Sequence, residues 1–549
     1  MSYQQVLDPL AGSLGWSSLL AALPLLTLFV LLGVVRMRAW IASLIALAVA
    51  LIVAIAVYGM PVGQAVLSGT EGAAFGFYPI MWIVINAIWI YQMTVVTGHF
   101  DVLRRSFSRV SDDQRIQAVI IAFSFGALLE ALAGFGTPVA ITSVMLIALG
   151  FKPLKAAVVA LVANTAPVAF GAIATPIVTL GKVTGLDVDK LGAMVGHQTP
   201  ILAVFVPLAL VFIVDGKRGL AQTWPAALVG GVAFALAQWI TAQFISVPLT
   251  DIVAALFSAL AIIAFLRVWR PGTAAATGRP EVVAGGAADE PTPEFAGRVA
   301  NPDSRSRVIG AYVPYAIVIV IFVLAQIPVI KDALGAATRT FDWPGLHLTS
   351  PAGKPLSLVE FKFDWLAAAG TLLLISGVIT AVVLRVSPGK AVRAYGTTLN
   401  QLKWAILTVM AVLALAYVMN ASGQTVTLGT WMAAAGGAFA FLSPILGWLG
   451  TAVTGSDTSS NSLFGALQVA AGQKIGLSQT LLAAANSSGG VLGKMVSPQN
   501  LAIAAAAVGM NGKEGEIFRR VIVWSLVFLL AMCVIALLQS TPVLSWMVV

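Results

Sequence analysis

The stretch ANTAPVAFGAIATPI at residues 163–177 has a partner in ANSSGGVLGKMVSPQ at 485–499, 322 positions further along the chain. Ala163, Asn164, Thr165, Gly171, Thr175 and Pro176 correspond to Ala485, Asn486, Ser487, Gly493, Ser497 and Pro498. Working outward, Gly134 and Thr137 correspond to Gly455 and Thr458 at an offset of 321, and Trp82 to Trp404 at 322. Self-similarity at such a long period indicates a duplicated structural unit. One copy covers about 79–181 and the other about 401–508.

The surroundings of both copies are apolar. Of 549 residues, 59% are hydrophobic and 10% charged, with a mean hydropathy of +0.95. That composition excludes a soluble enzyme, a fibrous protein and a disordered one. Ser17–Val35 is uncharged over 19 residues, which at ~1.5 Å per residue approaches the ~30 Å hydrocarbon thickness. Comparable runs follow at 39–59, 79–97, 115–131, 135–150, 154–181, 193–214, 223–245, 250–268, 309–330, 365–385, 401–419, 428–450, 456–474, 478–508 and 517–540. They are too long and too continuously apolar for barrel strands. In lipid the backbone must satisfy itself, so the fold class predicted is an all-α polytopic membrane protein.

The 31 Lys and Arg outnumber the 22 Asp and Glu, but they cluster between apolar runs, as membrane topology requires and nucleic-acid binding does not. Arg36 and Arg38 follow the first run, and Arg104, Arg105, Arg109 and Arg115 follow the third, while nothing basic lies between Gly59 and Tyr78. The positive-inside rule then makes those loops cytoplasmic and the N-terminus external. The same count puts Lys217–Arg218, 267–307, 385–403 and 513–520 inside. No basic residue precedes the first run, so no cleavable signal peptide is read. Residues 271–308, rich in Ala, Gly, Pro and mixed charge, read as a cytoplasmic linker between membrane halves 1–270 and 309–549. Residues 331–364 read as an external loop. The lone Cys533 excludes disulfide and Cys-metal frameworks.

By this count Trp82 lies on an inward-running span and Trp404 on an outward-running one, so the two copies are inverted. Inverted repeats with interrupted helices build a substrate site where the interruptions meet. Gly134-Phe135-Gly136-Thr137-Pro138 ends one helix and begins another, with Thr137 suited to the N-cap and Pro138 to the first helical position. Thr175-Pro176, Gly455-Ser456-Asp457-Thr458 and Ser497-Pro498 repeat the device. Helix N-termini at depth favour an anion such as a carboxylate. The plainer alternative is that small and hydroxylated residues serve only close helix packing. Irregular polar backbone at depth, however, is tolerated only within protein or beside a cavity.

Ionisable groups at depth are few, and each costs about 2.5–3.5 kcal/mol on insertion scales, so each is a functional candidate. Glu130 precedes the first break, and a carboxyl in such a place can take up and release a proton during transport. Asp457 lies in the corresponding second break and is a second proton-coupling candidate. Lys494 either attracts a substrate carboxylate or neutralises Asp457. His197 reads as a structural residue near a span end. The candidate substrate-binding set is Gly134, Gly136, Thr137, Asn164, Thr165, Thr175, Thr458, Ser459, Asn486, Ser487, Ser488, Lys494 and Ser497. No metal-protease, phosphate-binding or nucleophile-elbow motif is present, so neither an enzyme nor an ATP-driven pump is indicated within this chain, and no cofactor or metal is called for beyond a coupling proton.

EALAGFGTPVAI (130–141), GFKPLKAA (150–157) and ANTAPVAFGAIATPI (163–177) closely resemble the L-lactate permease family of bacterial inner-membrane carriers. So do TGHFDVLRRS (97–106), TGSDTSSNSLFG (454–465) and NSSGGVLGKMVSPQN (486–500). The resemblance implies uptake of L-lactate, D-lactate or glycolate with protons across the cytoplasmic membrane. It also implies an ion-transporter-superfamily fold whose paired broken-helix elements move like an elevator. Where the family commonly has Glu-Gly-Ala-Ala, this chain has Glu130-Ala131-Leu132-Ala133, placing a bulkier side chain beside the break. A sodium-coupled carboxylate symporter and a passive organic-anion channel are the rival classes. The oligomeric state, a homo-oligomer included, stays open at this stage, as does whether 115–150 and 432–475 span fully or re-enter.

Overall fold

The computed structural model describes residues 2–269 and 303–549 apart from 109, 112, 133, 135, 326 and 511. Arg109, Ala133, Phe135 and most of the expected linker therefore lie outside the described residues. Among those described, ten helices are long and apolar enough to cross a bilayer, eleven if one bent pair is counted as a span. Among the described residues the only strands, such as Arg339–Asp342 paired with Glu360–Phe363, involve residues 3–4 and the loop between 335 and 365, outside the membrane helices.

Two arms of 35 residues organise the molecule, Val62–Val96 and Pro388–Ser422. The sequence reading left 60–78 outside any span. Glycines and Glu71 dilute its hydropathy, yet it forms the first half of the first arm. Its glycines are what the packing needs. A Cβ at Gly69 would touch Val418, one at Gly72 would overlap the Leu413–Tyr417 backbone turn, and one at Gly76 would overlap Met410. Further along, Trp89 Nε1 donates to Ala391 O over 3.0 Å. Numbers rise on one arm as they fall on the other, so the arms are antiparallel. Trp82 and Trp404 therefore sit on oppositely directed helices, the inversion that the repeat implies.

Each repeat next contributes a helical hairpin. Gln114–Leu132 turns at the Gly134–Gly136 break into Thr137–Ala148, and Gln114 Nε2 donates to Leu149 O over 3.0 Å. The segment thus returns to the face it entered. In the second half Phe439–Thr454 turns at Gly455 into Asp457–Ile475. Here Ser460 Oγ donates to Gly447 O over 2.9 Å and Gln468 Nε2 to Ser443 O over 3.2 Å, so the two legs run side by side. Both segments are antiparallel helical hairpins.

The hairpins enter from opposite faces. Tyr3 OH donates to Ser422 O and to Tyr58 O, which gathers residues 3, 58 and 422 on one face, here the N-terminal face. The second hairpin begins there. The first arm carries the chain to the other face before the first hairpin begins, and that face holds Arg115 with Asp113 and Asp215, together with Lys155 on Val214 O. It is the basic face.

A broken helix follows each hairpin: Pro153–Ala163 with Gly171–Thr184, bent by 64°, and Gln479–Gly493 with Pro498–Ala507. The returning leg of the first hairpin packs on Pro498–Ala507, and that of the second on Gly171–Thr184. Such reciprocal contact, first with second and second with first, is what a two-fold relation between units produces.

Candidate functional site

The two break regions meet around a cavity of about 570 Å³. Glu130, Gly134, Thr175 and Pro176 line it from the first repeat, and Thr454, Asp457, Thr458, Ser459 and Lys494 from the second. Arg38, Trp40 and Trp404 line its mouth. Arg38 starts the helix Ala39–Ala56, whose other end lies beside Tyr58 on the N-terminal face, so the exposed Arg38 puts the cavity's mouth toward the opposite, basic face. Trp40 and Trp404 stack with centroids 4.9 Å apart, and Lys403 Nζ lies 5.8 Å from the Trp404 ring.

At its floor a cation from one half meets an anion from the other. Lys494 Nζ and Glu130 Oε1 are 2.5 Å apart, with side chains 7% and 3% exposed. Asn164 Nδ2 donates to Glu130 Oε2 over 2.9 Å, so both carboxylate oxygens are engaged. Local backbone explains the approach. A Cβ on Gly171 would press on the Glu130 carboxylate, and Ala172, Ile173 and Ala174 follow with φ of 44°, 57° and 56°. Three successive left-handed residues each cost about 1–2 kcal/mol. Strain of this kind persists where surrounding structure holds it, commonly at functional sites. Thr175 Oγ1 closes the turn on Ala172 O at 2.5 Å.

Asp457 is the third charge. Its Oδ2 accepts from Ser487 Oγ at 2.7 Å and Asn461 Nδ2 at 3.4 Å, and its Oδ1 from Thr451 Oγ1 at 3.4 Å. Asn461 also donates to Pro176 O of the other repeat. Asn486 Nδ2 donates to Asn461 Oδ1, and Gln468 Nε2 to Asn486 Oδ1. A chain of hydrogen bonds thus runs from the cavity wall into the second hairpin.

The remaining sequence candidates stand behind the wall. Gly136 and Thr137 are at the first hairpin tip, where Gly136, with φ of 81° and pressed by Ile503, takes the cap position; Thr137, expected as the N-cap, is instead the first helical residue. Thr165 donates to Val162 O. Ser488 donates to Gln198 Oε1 at 2.7 Å. Ser497 caps Pro498–Ala507 and donates to Lys494 O. Of the two roles read for Lys494, its ion pair goes to Glu130 and not to Asp457, because Asp457 already collects hydroxyl and amide donors. Leu132 is buried but does not line the cavity. His197 Nδ1 lies 2.6 Å from Met547 O, a structural tie.

Comparison with known proteins adds the family. A family model for L-lactate permease matches residues 17–543. The chain belongs to the L-lactate permease family. Relatives include the glycolate permease GlcA of Escherichia coli K12, 43% identical and covering 98% of both chains. The L-lactate permease of the same strain is 42% identical over 100% of this chain and 99% of its own, and that of Bacillus subtilis 41% identical over the whole of both. Among solved structures, the YdaH transporter of Alcanivorax borkumensis aligns over 86% of each chain at 14% identity with a TM-score of 0.42, a likeness too loose to carry any argument. Members of the L-lactate permease family are permeases and not enzymes, which agrees with a cavity walled by two inverted repeats.

Sequence reasoning missed several wall and core residues. Trp40 and Thr408 line the cavity without any local signal, and Arg38, read only as a basic loop residue, lines it too. Glu71 and Asp251 are fully buried. Neither oxygen of Glu71 has a hydrogen-bond partner among the described residues, whereas Asp251 accepts from Gln238 Nε2, which also donates to Ala166 O within the first break. A switch from apolar to mixed composition around Glu71 hid its membrane position.

Proposed function

We propose that the chain is a secondary transporter that imports a small 2-hydroxymonocarboxylate, L-lactate with D-lactate and glycolate as further substrates, by proton symport across the bacterial cytoplasmic membrane. The basic face is cytoplasmic and the N-terminus external, as the distribution of Lys and Arg supports. The substrate class is supported by the lactate and glycolate permeases to which the chain is similar.

One observation carries the mechanism: the only buried cation among the described residues of the cavity is held by a carboxylate from the opposite repeat. A substrate carboxylate and Glu130 compete for Lys494 Nζ. When Glu130 takes a proton it gives up that claim, and Lys494 is free to bind the substrate anion; when the anion leaves, Glu130 releases its proton and recaptures Lys494. Thr458 and Ser459, in the first turn of Asp457–Ile475, offer hydroxyls for the substrate's polar groups, at the helix end where the dipole favours negative charge. One anion moving with one proton is electrically neutral. No metal or nucleotide enters the cycle.

The test is labelled lactate uptake into proteoliposomes. An inwardly directed proton gradient should drive accumulation, and clamping the membrane potential should leave it unchanged. Accumulation driven by sodium at constant pH would replace the proton with sodium, and flux without accumulation would make the protein a passive channel.

A further inference from the structure

A second chamber, of about 220 Å³, opens on the N-terminal face. Its wall includes Phe75, Lys182, Thr184, Lys362, Tyr417 and Asn420, with Glu360 as the one acid among the described lining residues. Three helices line both hollows. On Gly171–Thr184, Pro176 faces the cavity and Lys182 the chamber; on Asp457–Ile475 the pair is Ser459 and Ala466, and on the second arm it is Val409 and Tyr417. Each pair is separated by about two helical turns, or ~10 Å. The plug between them is the apolar cluster of Phe75, Ile85, Ala172, Val183, Val409, Leu413 and Tyr417. The two hollows thus lie end to end on the same helices.

Lys182 is half-buried, its Nζ 5.4 Å from the centroid of the Phe75 ring, and no ion pair to it is formed among the described residues. Asn420 lines the same chamber, and its buried Nδ2 has no acceptor. A cation that makes no direct salt bridge, with Asp364 and Lys362 as the charges in its surroundings, and an amide donor without an acceptor, against an aromatic wall, suit a small carboxylate with an apolar tail. We infer that this chamber is the external capture site for the monocarboxylate anion, with Lys182 as the residue that holds it before it passes the plug. The inference rests on the transport reading above, and its test is independent of that reading's success.

The test uses Thr184→Cys in a Cys533→Ser background, in right-side-out vesicles. Charged, membrane-impermeant methanethiosulfonates added outside should label position 184, the anionic reagent faster than the cationic one, and millimolar lactate should slow labelling. Adding Lys182→Gln should lower the anionic-to-cationic rate ratio about fivefold, the scale of one partly screened charge, abolish protection by lactate, and raise the external KM for lactate uptake by a similar factor. Lys182→Arg should restore all three. Failure of the reagents to reach position 184 from outside would overturn the inference, as would a ratio and KM unmoved by Lys182→Gln. Lactate uptake in the same vesicles separates the two readings: uptake with no protection sinks the capture site alone, whereas absence of uptake by the parent protein sinks the transport reading.

Discussion

The two break regions share a backbone plan and divide the chemistry unequally. The first supplies one carboxylate, Glu130, steadied by one amide, Asn164. The second supplies the cation Lys494 and a hydrogen-bonded network through Asp457, Ser487, Asn461, Asn486 and Gln468. At the repeat offset Lys494 falls on Ala172, Glu130 on Thr451, and Asn461 and Gln468 on apolar positions of the first hairpin. Duplication therefore set the fold, and divergence put opposite charges into opposite halves. A site that needs both halves cannot be completed by either alone.

The largest effect expected from breaking this division is at Lys494. Lys494→Ala leaves Glu130 buried and unpaired, a loss of about 3–5 kcal/mol, so lactate uptake should fall by ~100-fold or more with a lowered melting temperature in detergent. The double variant Glu130→Gln/Lys494→Met should recover the melting temperature without recovering uptake. Recovery of uptake would show that the charge pair is only structural.

Next comes a pair of glycines at equivalent positions. A Cβ on Gly447 would overlap the backbone of Asn486, whereas one on Gly126 would meet only Thr142 Cγ2 at 3.4 Å and Ile121 O at 3.6 Å. Gly447→Ala should lose about 3 kcal/mol or more, because overpacking against backbone cannot be relieved by a rotamer change. Gly126→Ala should stay within ~1 kcal/mol, as alanine is the better helix former. Thermal unfolding followed by size-exclusion fluorescence measures both.

The two asparagines should separate stability from transport. Asn486→Ala removes a fully buried donor and acceptor and should cost about 2 kcal/mol of stability. Asn164→Ala, which frees one oxygen of Glu130, should lower uptake by roughly tenfold, the worth of a hydrogen bond to a charged group. Equal effects on both readouts would erase the distinction between the halves. The smallest contrast is between Thr458, which lines the cavity, and its counterpart Thr137, which does not. Thr458→Ala should raise the KM for lactate by about fivefold, and Thr137→Ala should leave it within about twofold.

Much of this architecture was legible in the sequence because helix breaks in lipid demand particular residues. Gly134, Gly136, Gly455, Ser456, Ser497 and Pro498 mark both hairpin turns and the break of the second broken helix. Glu130, Asp457 and Lys494 stood out because charge at depth is costly. What stayed hidden depended on distance in sequence. The pairing of Lys494 with Glu130 spans 364 positions, and the mouth residues Arg38 and Trp404 come from separate helices. Glu71 was missed for a different reason: glycines that let the two arms touch also make the segment look like a loop. That residues 114–148 fold back on themselves was also not legible from length alone; the bond from Gln114 to Leu149 shows that the two ends of this hairpin meet.

The central claim is that Glu130 carries the proton by surrendering Lys494 to the substrate. The most direct test is lactate accumulation in proteoliposomes under an imposed pH gradient, compared with lactate–lactate exchange at equal pH, for the parent protein and Glu130→Gln. Glu130→Gln should lose accumulation and keep exchange, since a neutral side chain leaves Lys494 available at all times. Accumulation undiminished in Glu130→Gln would contradict that claim.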